Sequence, residues 1–416
     1  MELMSQPFSG QLGDRLIEFL DSGDFHTLNI AVAFARNSGV LRVKTALENF
    51  RKNGGAVNVY VGVDLGGTSY EALTALLLYT DTLNVVHSEK GQTFHSKIYQ
   101  FLGDSKGLLV VGSHNLTGGG LWTNFESSTM IPFDASNASV APIQSSMNDF
   151  FNRLNSLGDS IMSIGAQEDV ESLLQNGYVI KEVAEQVRQS KAAKKDGAQK
   201  RLFGYGVNTK LPQLPKPTDQ GVATPSPAPA PAPTPAPATS ALVPDEAIGR
   251  TIWFETRSMT GGSRNILDLS MKSLVTRGDP SGTSFDLSDP MFMRGGVEFF
   301  GLDPANTNQT KDVTLNFEGV DYFGNTILFP TGNHANGTWR LQIKGISSSK
   351  IKITDALRAK GEEFYLVKKI ITFTEIDPGY YFMSVFPESD LPNFEDASQI
   401  LARNGATTNA RQLGII

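Results

Sequence analysis

The chain has 416 residues, with 36 basic and 43 acidic side chains, a net charge of −7 and no cysteine. This length is typical of about two to three domains, and the absence of cysteine excludes disulfides, zinc–thiolate sites and thiol chemistry. Residues 1–207 and residues 245–416 each carry 17 basic and 21 acidic side chains, so any DNA-binding surface must be a local patch. We find no signal peptide and no apolar run of about 18 residues, which predicts a cytoplasmic protein with no membrane partner.

Strand and helix patterns alternate in the first half of the chain. Apolar spacing predicts helices over residues 10–22, 39–53, 70–79, 143–157 and 169–189. Runs typical of strands occupy residues 28–34, 57–63, 83–86, 94–101, 107–112 and 127–132, the final one as the last strand of the sheet. This order predicts an α/β fold with a parallel or mixed sheet. The loop 64–69 is interpreted as a tight strand-to-helix turn that at most borders a cleft.

Residues 94–126 carry the polar side chains that point to chemistry. His95 and Lys97 are two apart on a predicted strand and therefore share one face. The next strand ends in a Gly-rich turn with Ser113 and Asn115, where backbone N–H groups can face an anion. An imidazole can attack phosphorus, and an ammonium and an amide can hold the phosphate oxygens as charge develops. The carboxylate of Glu126 is expected to orient His95 through its other ring N–H.

Each of these features has a common structural explanation. A lone histidine on a strand is most often a structural residue, a lone lysine is most often solvated, and Gly-Ser-x-Asn most often forms only a turn. It is the ordered combination that predicts a phosphate site which works without a metal.

The combination His-x-Lys followed by Gly-Ser-x-Asn resembles the phospholipase D superfamily. The longer string Phe-His-x-Lys-x-Tyr, Gly-Ser-x-Asn-Leu-Thr-x-Gly-Gly-Leu and Asn-x-Glu resembles its nucleases, in particular metal-independent type II restriction endonucleases of the BfiI and NgoFVII type. Phospholipases of the superfamily carry an Asp five residues after the Lys. Here that position is Leu102, which argues against a lipase.

This resemblance implies a residue-by-residue assignment. His95 would be the nucleophile that forms a covalent phosphohistidine, Lys97 and Asn115 would bind the phosphate, and Glu126 would pair with the histidine. Ser113 would support the phosphate site. Because the motif occurs once, the resemblance also implies a homodimer with one shared active site, no cofactor and no metal.

A change of composition separates the two halves of the chain. Residues 208–245 form a Pro/Ala-rich linker, expected to be an extended spacer between a nuclease domain at 1–207 and a β-rich domain at 246–416. Short strands are predicted at 251–256, 296–300, 313–317, 325–329, 339–343 and 364–374, with one helix at 354–360. The resembling enzymes carry a B3-like DNA-binding pseudobarrel in this place, which the β-rich pattern suits.

Six side chains of the β-rich part are candidates for DNA contacts, because Arg reads guanine and Asn reads adenine, while basic side chains also bind phosphates. They are Arg257, Arg264, Asn265, Asn325, Arg340 and Lys344. The basic run from Arg188 to Arg201 is either a solvated helix end or a phosphate-contacting arm.

These observations predict a metal-independent DNA endonuclease that serves in restriction or anti-phage defence. Two alternatives stay open. The first is a nuclease subunit gated by a separate ATPase or helicase chain, since this chain has no Walker motif. The second is an RNA-directed phosphodiesterase of the same superfamily.

Overall fold

The computed structural model describes residues 1–134, 141–195, 204, 206–214, 250–258, 264–332, 337–361 and 364–416. Two β-sheets organise these residues, one in the first half of the chain and one in the second. The fold is therefore mixed α/β with two large mixed sheets, as the alternating pattern predicted for the first half.

The first sheet has eight strands in the order β1-β7-β6-β5-β2-β3-β4-β8. Strands β2, β3 and β4 pair in parallel, and the remaining pairs are antiparallel. The strands are β1 (Glu2–Gln6), β2 (Thr27–Val32), β3 (Ala56–Gly62), β4 (Thr82–Val86), β5 (Lys97–Leu102), β6 (Lys106–Gly112), β7 (Glu126–Asp134) and β8 (Ile161–Ser163).

Helices cover both faces of this sheet. They are α1 (Leu12–Asp21), α2 (Asn37–Lys52), α3 (Tyr70–Tyr79), α4 (Ala141–Asn155), α5 (Gln167–Gln175) and α6 (Glu182–Lys195). Apolar residues of α1, α2, α3 and α5 pack in one core, whereas Phe151 and Leu154 of α4 pack against the opposite face. The two covered faces explain why the inner strands are almost continuously apolar.

Three predictions for this half need correction. The motif strand starts at Lys97 rather than at residue 94, so His95 lies just before the strand. The predicted helix 169–189 is two helices, α5 and α6, because Gly177 adopts a φ of +78° that ends the first. Strand 127–132 is not the last of the sheet, since β8 follows it, and β1 had no prediction.

The second sheet has eleven strands in the order β10-β15-β14-β13-β17-β16-β9-β19-β18-β11-β12. The strands are β9 (Thr251–Glu255), β10 (Ile266–Leu269), β11 (Lys272–Arg277), β12 (Phe292–Arg294), β13 (Thr310–Phe317), β14 (Val320–Leu328), β15 (Trp339–Gln342), β16 (Lys369–Asp377), β17 (Tyr380–Pro387), β18 (Ile400–Arg403) and β19 (Gln412–Ile415). Two helices accompany them, α7 (Ile353–Arg358) and α8 (Leu391–Ala397).

The B3-like pseudobarrel is not confirmed. Within the described residues the sheet ends at β10 and β12, each paired with one neighbour, so it does not close into a barrel. The predicted strand 296–300 is instead a 3-10 turn, Gly296–Phe300, whose aromatic side chains enter the core. The predicted strand 364–374 begins only at Lys369.

The two sheets are joined by contacts through α2 and α6. Lys44 of α2 donates to Asp321 at 2.5 Å and to the Tyr380 hydroxyl at 3.0 Å. Val183 and Val187 of α6 share an apolar cluster with aromatic residues of the second half. Helix α6 therefore lies between the two halves.

The predicted linker is described only at its start. Residues 215–245 lie outside the described residues, and the interpretation of an extended spacer stays a prediction. Residues 208–214 lie against both halves: Arg42 donates to the carbonyl of Pro212 at 3.1 Å, and Leu214 donates its N–H to Asp377 at 3.2 Å.

Candidate active site

The predicted catalytic side chains lie at one edge of the first sheet. Lys97 at the start of β5 is paired with Val32 at the end of β2, and Val111 near the end of β6 is paired with Ile98. Strand β7 starts beside the end of β6. This antiparallel arrangement brings the segment before β5, the turn after β6 and the start of β7 to the same edge.

His95 and Lys97 are in direct contact. The Lys97 Nζ lies 2.8 Å from the Nδ1 and 3.1 Å from the Nε2 of His95, and it donates to the His95 carbonyl at 3.1 Å. The imidazole is exposed, and the Phe34 ring packs edge-on at 6.0 Å. Burial lowers the pKa of Lys97, while the negative charge of Glu126 acts in the opposite direction. An exposed imidazole beside a nearly buried ammonium suits attack on an anionic phosphodiester.

Asn115 is oriented by the backbone next to it. Its Oδ1 accepts the N–H of Phe34 at 3.1 Å, and this bond leaves the Nδ2 donor end for a ligand. The chain around Phe34 runs beside the motif turn, since Leu116 donates to the Phe34 carbonyl and Arg36 donates to that of Leu116, both at 3.0 Å. The amide is thus held in one orientation by the backbone of Phe34.

A cleft of about 260 Å³ opens beside Asn115. Its lining includes Asn115 and Asn124 and, from α6, Glu182, Glu185 and Gln189. Arg188 lies 2.5 Å from Glu185 and lowers the pKa of that carboxyl. Space for a ligand is therefore present next to the motif, bounded by a helix that also contacts the second half.

Glu126 does not contact His95 within this chain. Its carboxylate accepts a short hydrogen bond from the Ser113 hydroxyl and a 3.4 Å bond from Asn124 Nδ2. The expected Glu126–His95 bond is replaced here by a Glu126–Ser113 bond, because both residues lie where β6 and β7 are paired. Ser113 is exposed at the same edge, and its hydroxyl is engaged by the carboxylate rather than directed to a phosphate.

Asp64 is a functional candidate that the sequence reasoning missed. Its Oδ2 accepts the N–H of Phe94 at 3.0 Å, and its Oδ1 lies 2.8 Å from the Nδ1 of His87. The carboxylate, with a side chain only 10% exposed, thereby holds the residue that precedes His95. The signal available in the sequence was an aspartate directly after a buried strand, in the turn that had been interpreted only as a connection.

Three buried side chains donate hydrogen bonds to backbone carbonyls of the Gly-rich turn after β6. Tyr99 donates to the carbonyl of His114 at 3.2 Å, and the His114 Nδ1 donates to that of Gly120 at 2.8 Å. The Gln6 Nε2 lies within 3.3 Å of the carbonyls of Gly119, Gly120 and Asn124. Burial lowers the pKa of His114, which favours the neutral imidazole. Only Tyr99 belongs to the recognised motif, so the other two had no sequence signal.

The six predicted DNA-contacting side chains are not equivalent in the structure. Asn325 is fully buried: it donates to the carbonyls of Val313 and Tyr322 and accepts the N–H groups of Lys344 and Gly345. The prediction that it reads DNA is wrong, because a buried and fully bonded amide has no face for a base.

The other candidates lie nearer the surface. Arg257 pairs with Glu255 at 2.6 Å, and Arg340 lies 3.6 Å from Asp268. Arg264 lies over the Phe364 ring, and the exposed Lys344 donates to Gln342 at 2.9 Å. The backbone carbonyl of Asn265 accepts the N–H of Ile343 at 2.8 Å. Residues 259–263, between Arg257 and Arg264, lie outside the described residues.

Two further findings concern the described parts of the chain. They contain no group of three or more His, Asp or Glu side chains placed to hold a metal ion. None of their helices combines the length and apolar character needed to cross a membrane.

Comparisons with known proteins give structural similarities only at a low level. No protein-family model matches the chain, and no curated protein matches it. The solved structures that are similar include Nuc from Salmonella typhimurium, a phospholipase D family member (14% identity, 40% of this chain and 97% of that one, TM-score 0.28). They also include NucT from Helicobacter pylori (14% identity, 39% of this chain and 98% of that one, TM-score 0.26). A third is phosphatidylserine synthase from Haemophilus influenzae (12% identity, 44% of this chain and 44% of that one, TM-score 0.29). All three TM-scores lie below 0.5, so any functional proposal depends on the side chains of the site.

Proposed function

We propose that this chain is a metal-independent phosphodiesterase of the phospholipase D type that cleaves DNA as an endonuclease. The observation that carries the proposal is the exposed imidazole of His95 with the Lys97 ammonium 2.8 Å from its Nδ1. Asn115 at the same sheet edge, with its amide oriented by the Phe34 N–H, supplies a second donor for a bound phosphate.

The proposed reaction has two in-line steps. A nitrogen of His95 attacks phosphorus, the N–P bond forms, and the bond from phosphorus to the leaving sugar oxygen breaks. The leaving oxygen takes its proton from an imidazolium, which we assign to His95 of a second copy of the chain. That imidazole then takes a proton from water, whose oxygen attacks phosphorus and breaks the N–P bond. Lys97 and Asn115 donate to the non-bridging oxygens in both steps.

The homodimer is part of the proposal. The exposed position of His95 supports it, because a shared active site requires an imidazole that a second subunit can approach. Mixed dimers of unmodified and His95→Ala chains test it. We expect them to lose hydrolysis, since each active site needs two imidazoles; mixed dimers with half of the original activity would contradict a shared site.

The decisive experiment is cleavage of plasmid DNA in excess EDTA. We expect cleavage to persist, His95→Ala to abolish it, and an acid-labile phosphohistidine to be trapped on the unmodified chain. The matched control is His26→Ala, because His26 is also exposed and its nearest carboxylate, on Asp104, is 3.7 Å away. Loss of cleavage on chelation would contradict the mechanism.

The substrate and the biological role are tested separately. Hydrolysis of bis(p-nitrophenyl) phosphate without cutting of plasmid would favour the partner-gated nuclease, and faster cutting of RNA than of DNA would favour the RNA-directed enzyme. For the proposed role in restriction or anti-phage defence, we expect cells that express the chain to reduce phage plating, and His95→Ala to restore it.

A further inference from the structure

Two phenyl rings are exposed side by side, one just after β1 and the other just before β7. Phe8 is 71% exposed and Phe125 is 62% exposed, and their centroids are 5.7 Å apart with ring planes at 34°. Among the described residues, these are the two aromatic side chains in the set of exposed large apolar residues. Single exposed apolar side chains are common on proteins, but two adjacent aromatic rings are a patch.

The position of this pair connects it to the phosphate site. Phe125 lies between Asn124, which lines the cleft, and Glu126, which bonds Ser113 and acts electrostatically on Lys97. Phe125 is therefore the chain neighbour of two residues, one that lines the cleft and one that contacts the motif turn.

The pair is held in place by a buried amide. Gln6 is 1% exposed, faces Glu126 in the β1–β7 register, and donates to the carbonyl of Asn124 at 3.0 Å. This bond ties the end of β1, which leads to Phe8, to the residue before Phe125. Phe8 is two residues from Gln6 and Phe125 is one residue from Asn124, so both rings lie close in the chain to this hydrogen bond.

We propose that Phe8 and Phe125 form a stacking platform for an unpaired nucleobase next to the scissile phosphate. The ligand class is single-stranded nucleic acid, bound with little preference among bases, because every base has a face that can stack on an aromatic ring. The net charge of −7 gives the chain little general attraction to a phosphate backbone, so stacking would add affinity that does not depend on charge. This inference rests on the proposed function.

Binding to the full-length His95→Ala chain tests the platform without hydrolysis. One probe is a labelled oligothymidylate of about 20 nucleotides, and the other is an abasic phosphodiester strand with the same number of phosphates. We expect the oligothymidylate to bind more tightly. Adding Phe125→Ala weakens oligothymidylate binding about tenfold at both low and high salt and leaves abasic binding unchanged. Adding Phe125→Trp retains the affinity, whereas Phe125→Leu loses it like Ala.

The matched control is Leu3→Ala, which removes another exposed apolar side chain, 69% exposed, from strand β1, the strand that leads to Phe8. We expect it to change neither affinity. Equal affinity of the two strands for the His95→Ala chain would overturn the proposal, as would a Phe125→Ala loss of the same size on both strands. If Phe125→Ala converts a dimer to a monomer in sedimentation, the rings belong to a subunit interface and the proposal is wrong.

Failure of this inference is distinguishable from failure of the proposed function. Hydrolysis of bis(p-nitrophenyl) phosphate by the unmodified chain tests the His95 chemistry without any nucleobase. Hydrolysis without base-dependent binding rejects the platform alone, and base-dependent binding without hydrolysis rejects the proposed enzyme alone.

Discussion

At the scale of single residues, the site depends on side chains that position others. Lys97 contacts both the ring and the carbonyl of His95, so its ammonium holds the imidazole that we propose as the nucleophile. Asp64 positions the residue before His95, because its carboxylate accepts the backbone N–H of Phe94 and also contacts His87. His95 therefore lies between two anchored residues, Phe94 held by Asp64 and Lys97 in contact with the imidazole.

Replacement of Asp64 tests this positioning. We expect Asp64→Ala to lower kcat about 10- to 100-fold with little change in KM, because a small displacement of a reacting group is costly. We expect Asp64→Asn to retain most of kcat, since the amide oxygen of the asparagine can accept the Phe94 N–H in place of the carboxylate Oδ2. Asp104→Ala is the control, because Asp104 is fully exposed. A change in KM alone, measured with bis(p-nitrophenyl) phosphate, would contradict the assigned role.

Asn325 illustrates the opposite case, a residue with a structural role only. We expect Asn325→Ala to lower the free energy of unfolding by about 2–3 kcal/mol, because two buried N–H groups and two carbonyls lose their partner. The exposed Lys344→Ala changes it by less than about 0.5 kcal/mol. Chemical denaturation measures both; an unchanged stability of Asn325→Ala together with weaker DNA binding would restore the base-reading interpretation.

At the scale of elements, the junction of α3 and α6 carries a pair of buried carboxyl groups. Glu71 of α3 is 2% exposed, and burial together with the nearby charge of Glu182 raises its pKa to about 7. Its Oε2 accepts the N–H of Glu182, which starts α6. Because Glu182 starts α6 and lines the cleft, this contact joins α3 to the helix that borders the cleft.

This raised pKa predicts a pH dependence of stability. Between about 4.5 and 7 the folded chain retains the Glu71 proton that the unfolded chain releases, so the free energy of unfolding falls as the pH rises through this range. The total change is roughly 3 kcal/mol. We expect Glu71→Gln to be more stable than the unmodified chain at pH 8 and to lose most of this dependence. Thermal melts from pH 5 to 8 measure it, and parallel curves for the two proteins would contradict it.

At the scale of the whole molecule, the second sheet is docked on the helices of the first. Lys44 is 7% exposed at this contact, and burial lowers its pKa while Asp321 acts to raise it. Lys181 of the segment before α6 donates to the carbonyl of Val385 at 2.9 Å. Polar contacts that are buried and paired in this way favour one relative placement of the two halves.

Breaking the Lys44–Asp321 pair tests the docking. We expect Lys44→Ala to cost about 3–5 kcal/mol, because it leaves the Asp321 carboxylate in a largely buried site without its cation. Calorimetry should then resolve two transitions in place of one. The control is Lys52→Ala in the same helix, whose side chain is 65% exposed. A single transition with unchanged midpoint in Lys44→Ala would contradict the assigned role of this contact.

The sequence by itself determined the alternation of strands and helices in the first half, and α3 was predicted with its observed bounds, Tyr70–Tyr79. It also singled out His95, Lys97 and Asn115 as site candidates, and the structure places His95 and Lys97 in contact because they are only two residues apart. Periodicity and turn chemistry act over a few residues, and the predictions confirmed for the fold are those of single strands and helices.

Only the tertiary structure decided the features that depend on distant segments. The partner of Glu126, the link from Asp64 to Phe94, the burial of Asn325 and the meeting of Phe8 with Phe125 all join residues separated in the chain by 10 or more positions. The 3-10 turn at 296–300 and the division of 169–189 into two helices were settled by packing and by one glycine with positive φ. Contacts of this kind produce no periodic pattern in the sequence, because each depends on how the fold places two distant segments side by side.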